Sequence, residues 1–362
     1  MLKVMGIILL IMAGVAGAVA FIVYEEATRF AATAAKIEGG TVVVEIPRGS
    51  SLRTIADLLS RKGVVADPFR FYYFLRYMVR FERAGEIQAG EYEFRDGMSP
   101  RAVAMRMFRG ERYRYKVTIP EGLRYEEIAD ILAGAGLADR NLFVKLCRDP
   151  VYIKALGVEA DSLEGYLFPD TYLFERGQPI DFIIKTLVRR FREVFAPYAA
   201  GAQARGLGMH QAVTLASIVE KETGAPQERP MIASVFYNRM KIPMKLQTDP
   251  TVIYGIIRAR GAFNGNLRRK DLETPNQYNT YTIEGLPPGP ICNPGAEALK
   301  AVAQPAESKM LFFVSHNDGT HEFCPNYACH LKAVQKWQLD YFRRKGPARD
   351  APPGKNTTPS SR

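Results

Sequence analysis

Between Lys3 and Glu25 the chain carries no charged residue, so residues 4 to 24 form an unbroken run of 21 uncharged, mostly apolar positions. At about 1.5 Å per residue, a helix of that length crosses the roughly 30 Å hydrocarbon core of a bilayer. Lys3 and the terminal amine precede the run, and Glu25 and Glu26 come directly after it. The positive-inside tendency then leaves residues 1–3 in the cytoplasm and exports the remainder. A cleaved signal peptide competes with this reading, because Ala18-Val19-Ala20 resembles a small-residue cleavage site. The apolar run continues past it through Phe21, Ile22 and Val23, as a stop-transfer anchor does, and the single-pass anchor is the preferred reading.

Beyond the anchor the chain has room for a real core. At 362 residues and 47% hydrophobic, it accommodates two or three domains. The formal net charge is +11, and residues 343–362 contribute six Lys or Arg against the single Asp350. That segment is rich in Pro, Ser and Thr and reads as a disordered basic tail. The rest of the positive balance favours anionic partners such as a phospholipid surface or an acidic polymer. Nucleic acid is disfavoured, since no aromatic-interleaved basic helix and no zinc-finger spacing is present.

Four cysteines, Cys147, Cys292, Cys324 and Cys329, enter an oxidising compartment if the chain is exported, and Cys324 with Cys329 is a candidate disulfide that spacing alone does not assign. His316, His321, Cys324, Cys329 and His330 crowd together, but their spacing matches no regular zinc pattern, so structural histidines and thiols are expected and no metal.

The chain also repeats itself. The stretch at about residues 42–65 aligns without gaps, at an offset of 73, to that at about residues 116–138, with Ile46/Ile119, Pro47/Pro120, Gly49/Gly122, Ile55/Ile128, Ala56/Ala129, Asp57/Asp130, Leu59/Leu132 and Gly63/Gly136 identical. Each copy reads as a short alternating strand, a Pro-x-Gly turn and an amphipathic helix ending at Gly. This pattern resembles a LysM-like module, a family that binds N-acetylglucosamine-containing glycans. Spacing the main domain from the membrane explains two such modules equally well, as neither helix shows an obvious line of exposed aromatics. Between the copies, PFRFYYFLRYMVRFERAG reads as a helix that either packs on the repeats or lies against the bilayer, with packing preferred. AGEYEFRDGMS then reads as a hairpin or a strand returning to the second copy. Residues 40–150 are therefore expected to be α+β.

From His210 to Glu222 a helix is expected, apolar in nearly every direction and so buried. Val213, Ala216, Ser217 and Glu220 share one stripe at helical spacing, whereas Glu222, two positions on, faces elsewhere. A carboxyl beside apolar neighbours keeps its proton to higher pH, which is what a general acid needs. The bland alternative, a Glu paired with an Arg or reaching water at a helix end, carries more weight on spacing alone. Residues 162–174, 244–255 and 274–295 add Asn, Gln, Tyr, Thr and Asp in long loops, groups that suit sugar hydroxyls. P-loop, dinucleotide, G-x-S-x-G and HExxH signatures are missing from the sequence.

EGYLFPDTY, ASIVEKET, VFYNRM, KLQTDPTVIYG, YNTY with GLPPGPICNPG after it, and FFVSH…HEF, in this order over about residues 40–340, resemble the endolytic murein transglycosylases (the MltG or YceG-like family). The resemblance implies an α+β chain: a transmembrane helix, a LysM-like region at 40–150, and a mixed α+β catalytic domain at 151–342 with a buried catalytic helix. It implies cleavage of the MurNAc–GlcNAc β-1,4 bond in nascent peptidoglycan to leave a 1,6-anhydro-MurNAc end, ending strand elongation, with no cofactor. The family's catalytic Glu falls on Glu220, acting as acid and then base. The carry-over also puts Glu164, Gln247, Asp249, Tyr254, Asn279 and Tyr281 along a saccharide groove. Asn238 and Arg239 would orient loops or contact a substrate carboxylate. It further implies a bacterial inner-membrane enzyme with a periplasmic catalytic domain, and penicillin-binding-protein synthases as partners. Cys292, Cys324 and Cys329 are not called for by the motifs. A hydrolytic muramidase using Asp249 or Glu164 as second carboxylate, and a silent wall-binding scaffold, are the rival readings.

Overall fold

The computed structural model describes residues 2–34, 36–341 and 343, so the expected basic tail lies outside the described residues apart from Arg343. The chain divides into two compact units: residues 1–116 with 173–178, and residues 117–172 with 179–362. Both mix helices with short strands, as the α+β reading expects.

The first unit begins with α1 (Leu2–Ala32), whose stretch Leu10–Ala32 is long and apolar enough to cross a membrane and is not buried in the protein. The first repeat copy comes next as β1 (Thr41–Ile46) and α2 (Leu52–Arg61). Its Pro-x-Gly turn needs Gly49 at φ +75°, a left-handed conformation that side chains resist. Ser51 caps α2 by accepting from the Thr54 amide at 3.1 Å. The aromatic segment is α3 (Pro68–Phe81), started by Asp67, which accepts from the Phe69 and Arg70 amides. After it come β2 (Gly90–Arg95) and α4 (Pro100–Phe108). β2 does not go to the second copy: it pairs antiparallel with β1, from Thr41 opposite Arg95 to Ile46 opposite Gly90. The alternating pattern decides this, because Val44 and Ile46 on β1 and Tyr92 and Phe94 on β2 point into one core with Ile55, Leu59, Phe71, Leu75 and Met107.

The second repeat copy belongs to the second unit for most of its length, as β3 (Tyr115–Thr118) and α5 (Tyr125–Gly134). Two short helices come after it, α6 (Arg140–Leu146) and α7 (Pro150–Ala155), then β4 (Thr171–Phe174), which forms a two-stranded sheet with β3. The helical body comprises α8 (Ile180–Ala204), α9 (Met209–Glu222), α10 (Arg229–Met240), α11 (Asp249–Arg260), α12 (Arg269–Glu273) and α13 (Ala296–Ala303). α9 is the centre of this body: every residue from Ala212 to Val219 is buried, and α8, α10, α11 and α13 pack around it. Gly201 of α8 lets the α13 end approach closely, since a Cβ there would lie 2.9 Å from the Ala303 carbonyl oxygen. A hairpin of β5 (Phe312–Ser315) and β6 (His321–Cys324) and the helix α14 (Tyr327–Val334) close the unit.

Candidate active site

α9 ends by presenting Glu220 where the buried stripe meets the surface. One turn earlier Ser217 receives the Ile291 amide at 3.0 Å, and the Cys292 thiol donates to the Ser217 carbonyl. These bonds lay residues 291–295 along α9 and bring the Gly295 amide to Glu220 Oε2 at 3.0 Å. The other oxygen, Oε1, receives Arg229 Nη2 at 2.7 Å from the first residue of α10. Both partners are withdrawn from water, with the Arg229 side chain 8% and the Glu220 side chain 6% exposed.

The turn of the second repeat supplies the remaining wall. Gly122, at φ +77°, donates its amide to the Asn293 carbonyl at 2.9 Å, and Lys221 Nζ donates to the Gly122 carbonyl. Asn293 bonds Leu123 through both its amide and its side chain. This close seating sets Glu121 beside the Glu220–Arg229 pair, with Glu121 Oε2 3.6 Å from the same Arg229 Nη2. Room for the Glu121 carboxylate exists because residue 295 is glycine: a Cβ there would lie 1.9 Å from Glu121 Oε1.

Electrostatics pull Glu220 in two directions. Burial is the largest influence and raises its pKa above the usual glutamate value, and the Glu121 charge reinforces the rise. The Gly295 amide, Arg229 and Lys221 act against it, by hydrogen bonding or by charge. The net direction is upward, so Glu220 holds its proton to higher pH than a free glutamate does, while a bonded seat for the anion is already built.

The other residues singled out in the sequence fall into separate groups. Glu164 is 1% exposed and accepts from the Tyr125 amide (3.1 Å), Asn293 Nδ2 (3.0 Å) and the Tyr254 hydroxyl (3.2 Å), which unites Glu164 with Tyr254 beneath the surface. Asp249, exposed at the start of α11, accepts from the Tyr281 hydroxyl at 2.7 Å. Asn279 is 1% exposed; its amide nitrogen donates to the carbonyls of Asp271, Leu272 and Thr274, and its oxygen accepts from the Tyr281 amide. Gln247 is exposed and holds φ +48°, uncommon for a residue with a side chain. Asn238 donates to the Ser308 and Met310 carbonyls, and Arg239 to those of Leu311 and Leu246, so both fasten the segment leading into β5. None of the eight has a direct hydrogen bond to Glu220 among the described residues.

Three residues at this site were not singled out: Glu121, Arg229 and Gly295. Glu121 had a readable signal, since the first repeat carries Arg48 at the equivalent Pro-x-Gly position. Glu222 faces away from Glu220, towards Thr248, Asp249, Arg239 and Tyr281. Burial lifts its pKa to about 7, and the Asp249 charge adds to that, while the Thr248 hydroxyl and Arg239 oppose it.

The histidine and cysteine cluster resolves into pairs. Cys324 and Cys329 form a disulfide, which removes both thiolates as ligands, while Cys147 and Cys292 are free and buried. His321 binds Glu228 through its ring Nδ1 (2.7 Å) and its amide (2.9 Å), and His316 pairs with Thr320 at 2.8 Å. No group of three His, Cys, Asp or Glu placed for a metal ion occurs among the described residues.

Comparison with known proteins adds a second line. The model of the YceG-like family matches residues 44–336. An endolytic murein transglycosylase of Bacillus subtilis (strain 168) is 32% identical over 313 residues, covering 82% of this chain and 85% of that protein. An endolytic murein transglycosylase of Streptococcus pneumoniae serotype 2 is 28% identical over 81% of this chain, which spans 58% of that longer relative. A 2.6 Å crystal structure of a yceG-like protein from Listeria monocytogenes superposes with a TM-score of 0.54 at 33% identity, covering 81% of this chain and 98% of that one.

Proposed function

The chain belongs to the YceG-like family, and on that premise we propose that it is an endolytic peptidoglycan lytic transglycosylase in which Glu220 is the acid and the base. The observation that carries the assignment of Glu220 is its seat. It is a buried carboxyl with a raised pKa, whose two oxygens are met by Arg229 and the Gly295 amide.

The chemistry arises from that seat. Protonated Glu220 gives its proton to the glycosidic oxygen, and the bond from that oxygen to C1 of MurNAc breaks through an oxocarbenium-like state. The carboxylate left behind is stabilised by the two donors already in place. It then takes the proton of the MurNAc C6 hydroxyl as that oxygen closes on C1, forming the 1,6-anhydro ring without consuming water. One carboxyl acting twice completes the cycle. Burial and the Glu121 charge favour the first half, while Arg229 and Gly295 favour the second.

Around this centre, the exposed Gln247 and the Asp249–Tyr281 pair are assigned to saccharide binding. Glu164, Tyr254, Asn279, Asn238 and Arg239 are assigned to holding the loops from behind, in keeping with their burial and backbone bonds. α1 is assigned as a single-pass anchor, with the N-terminus cytoplasmic and the catalytic unit on the periplasmic side of the inner membrane. The two strand-turn-helix copies are assigned as LysM-like modules, the second serving the active site through Glu121. Glycan-polymerising penicillin-binding proteins are the partners that would supply its nascent strands.

Mass spectrometry of peptidoglycan digested by the wild type and by Glu220→Gln tests the core of this reading. Wild type should release 1,6-anhydro-MurNAc ends, and Glu220→Gln should lose about 10²–10⁴-fold in rate. Reducing MurNAc ends would make the enzyme a hydrolase, and an unimpaired variant would remove Glu220 from the chemistry.

A further inference from the structure

We infer that the exposed face of α3 is a membrane-interface surface, seated in the headgroup region of the bilayer that α1 enters. This rests on α1 being a membrane anchor. α3 is amphipathic in an unusual way. Phe71, Phe74, Leu75 and Met78 are buried in the first unit's core, yet the opposite face is also apolar. Phe69, Tyr73, Tyr77 and Phe81 recur every four residues and are 61%, 51%, 46% and 70% exposed. Their rings associate in pairs, Phe69 with Tyr73 at 4.7 Å and Tyr77 with Phe81 at 5.4 Å between centroids.

Every charge carried by α3 itself is positive, while Asp67 at its N-cap lies 3.4 Å from Arg70 and Glu82 just after it pairs with Arg101. Arg70, Arg76 and Arg80 are exposed among the aromatics, and α3 contains no acidic residue. Aromatic rings interleaved with arginines match the headgroup boundary, where rings take the acyl edge and guanidinium groups meet phosphate. An apolar helix face of this kind in bulk water would be a liability.

Continuity with α1 identifies the occupant. A groove of about 700 Å³ opens between the two helices, lined by Tyr24, Glu26 and Phe30 of α1 and by Phe69, Tyr73 and Tyr77 of α3. Glu26 reaches Arg70 at 3.6 Å, and Phe30 packs against the first unit's core. Tyr24 and Glu26 mark the level where the uncharged run ends, which is where a spanning helix leaves the hydrocarbon. The same residues that set that level therefore hold α3 at it. A lipid surface satisfies the aromatics, the arginines and the groove together.

Nitroxide labels on the full chain in phosphatidylethanolamine–phosphatidylglycerol vesicles test this. They are placed one at a time at Ile11→Cys, Tyr73→Cys and Glu45→Cys, with Cys147 and Cys292 buried away from the reagent. Glu45 lies on the β1 face opposite the core-facing Val44 and Ile46 and serves as the aqueous control. The expected result is a label at 73 that is more accessible to oxygen than to a water-soluble nickel chelate, at a depth of about 5–10 Å. The label at 11 should lie deeper and the label at 45 in water. A deep label at 11 with an aqueous label at 73 would overturn the α3 surface and leave the anchor intact. An aqueous label at 11 would overturn the anchor and this inference with it. Dipolar broadening between labels at 73, in place of the depth signature, would assign the face to a second copy and also overturn it.

Discussion

Glu121 and Glu220 meet at one guanidinium nitrogen: Arg229 Nη2 lies 2.7 Å from Glu220 Oε1 and 3.6 Å from Glu121 Oε2. The two carboxylates arrive from distant parts of the sequence, one on a repeat turn and one on a buried helix. Their proximity is a device for raising the proton affinity of the better-buried member. It also adds Glu121 to Asp249 and Glu164 as a carboxyl that a hydrolytic reading could recruit.

Removing the Glu121 charge should shift the pH profile of kcat. Glu121 raises the Glu220 pKa, so Glu121→Gln lowers it. Activity that requires protonated Glu220 falls as pH rises through that pKa, and the alkaline limb should therefore move to lower pH. Gly295→Ala provides an independent route. Its φ of −80° and ψ of 175° suit alanine, but the new Cβ would occupy the place of the Glu121 carboxylate. Both variants should shift the limb in the same direction, and an unmoved limb in both would remove Glu121 from the tuning of Glu220.

Arg229 predicts the opposite displacement. Arg229→Gln takes away a charge that lowers the Glu220 pKa, so the alkaline limb should move up while kcat near neutrality falls by about 10²-fold, as the anion loses its partner. Breaking this nearly buried pair should also cost about 3–5 kcal/mol in urea unfolding. A limb moving in the same direction for Arg229→Gln and Glu121→Gln would contradict the arrangement.

Glu164 separates support from substrate contact. Glu164→Ala leaves the Tyr125 amide, Asn293 Nδ2 and the Tyr254 hydroxyl without their acceptor. Orphaned buried donors of this kind cost about 1–3 kcal/mol each, so a loss of about 3 kcal/mol or more is expected in chemical denaturation. A raised KM with unchanged stability would place Glu164 in the saccharide groove instead.

Much of this was legible because it is written locally. The stripe Val213, Ala216, Ser217 and Glu220 comes from helical spacing, and α9 covers it as expected. The repeats show in their shared Pro-x-Gly and Ile-Ala-Asp positions, and the uncharged run became one long helix. The destination of β2 was not legible, because pairing with β1 rests on a side-chain register about 50 residues apart in sequence. Arg229, Gly295 and Glu121 were hidden for a related reason. Arg229 and Gly295 carry no mark in their local sequence, the Arg48-to-Glu121 difference between the repeats names no partner, and only the seating of residues 291–295 along α9 brings the three to one carboxyl. For Glu222, spacing shows only that it turns away from Glu220, not what it turns towards.

Glu222 gives the last prediction, in stability rather than activity. Its pKa of about 7 in the folded protein lies well above the ordinary glutamate value of about 4.3, so the folded state binds the extra proton more tightly than the unfolded chain does. Stability from this group is complete below the unfolded pKa and is lost as pH rises through about 7. Glutamine copies the neutral acid without ionising. The melting temperature of Glu222→Gln should match that of wild type near pH 5 and exceed it at pH 8, by about 2–4 °C for each kcal/mol recovered. Melting curves of both proteins at the two pH values check this. A variant less stable than wild type at pH 8 would show that ionised Glu222 is held by Arg239 and Thr248 more strongly than burial penalises it.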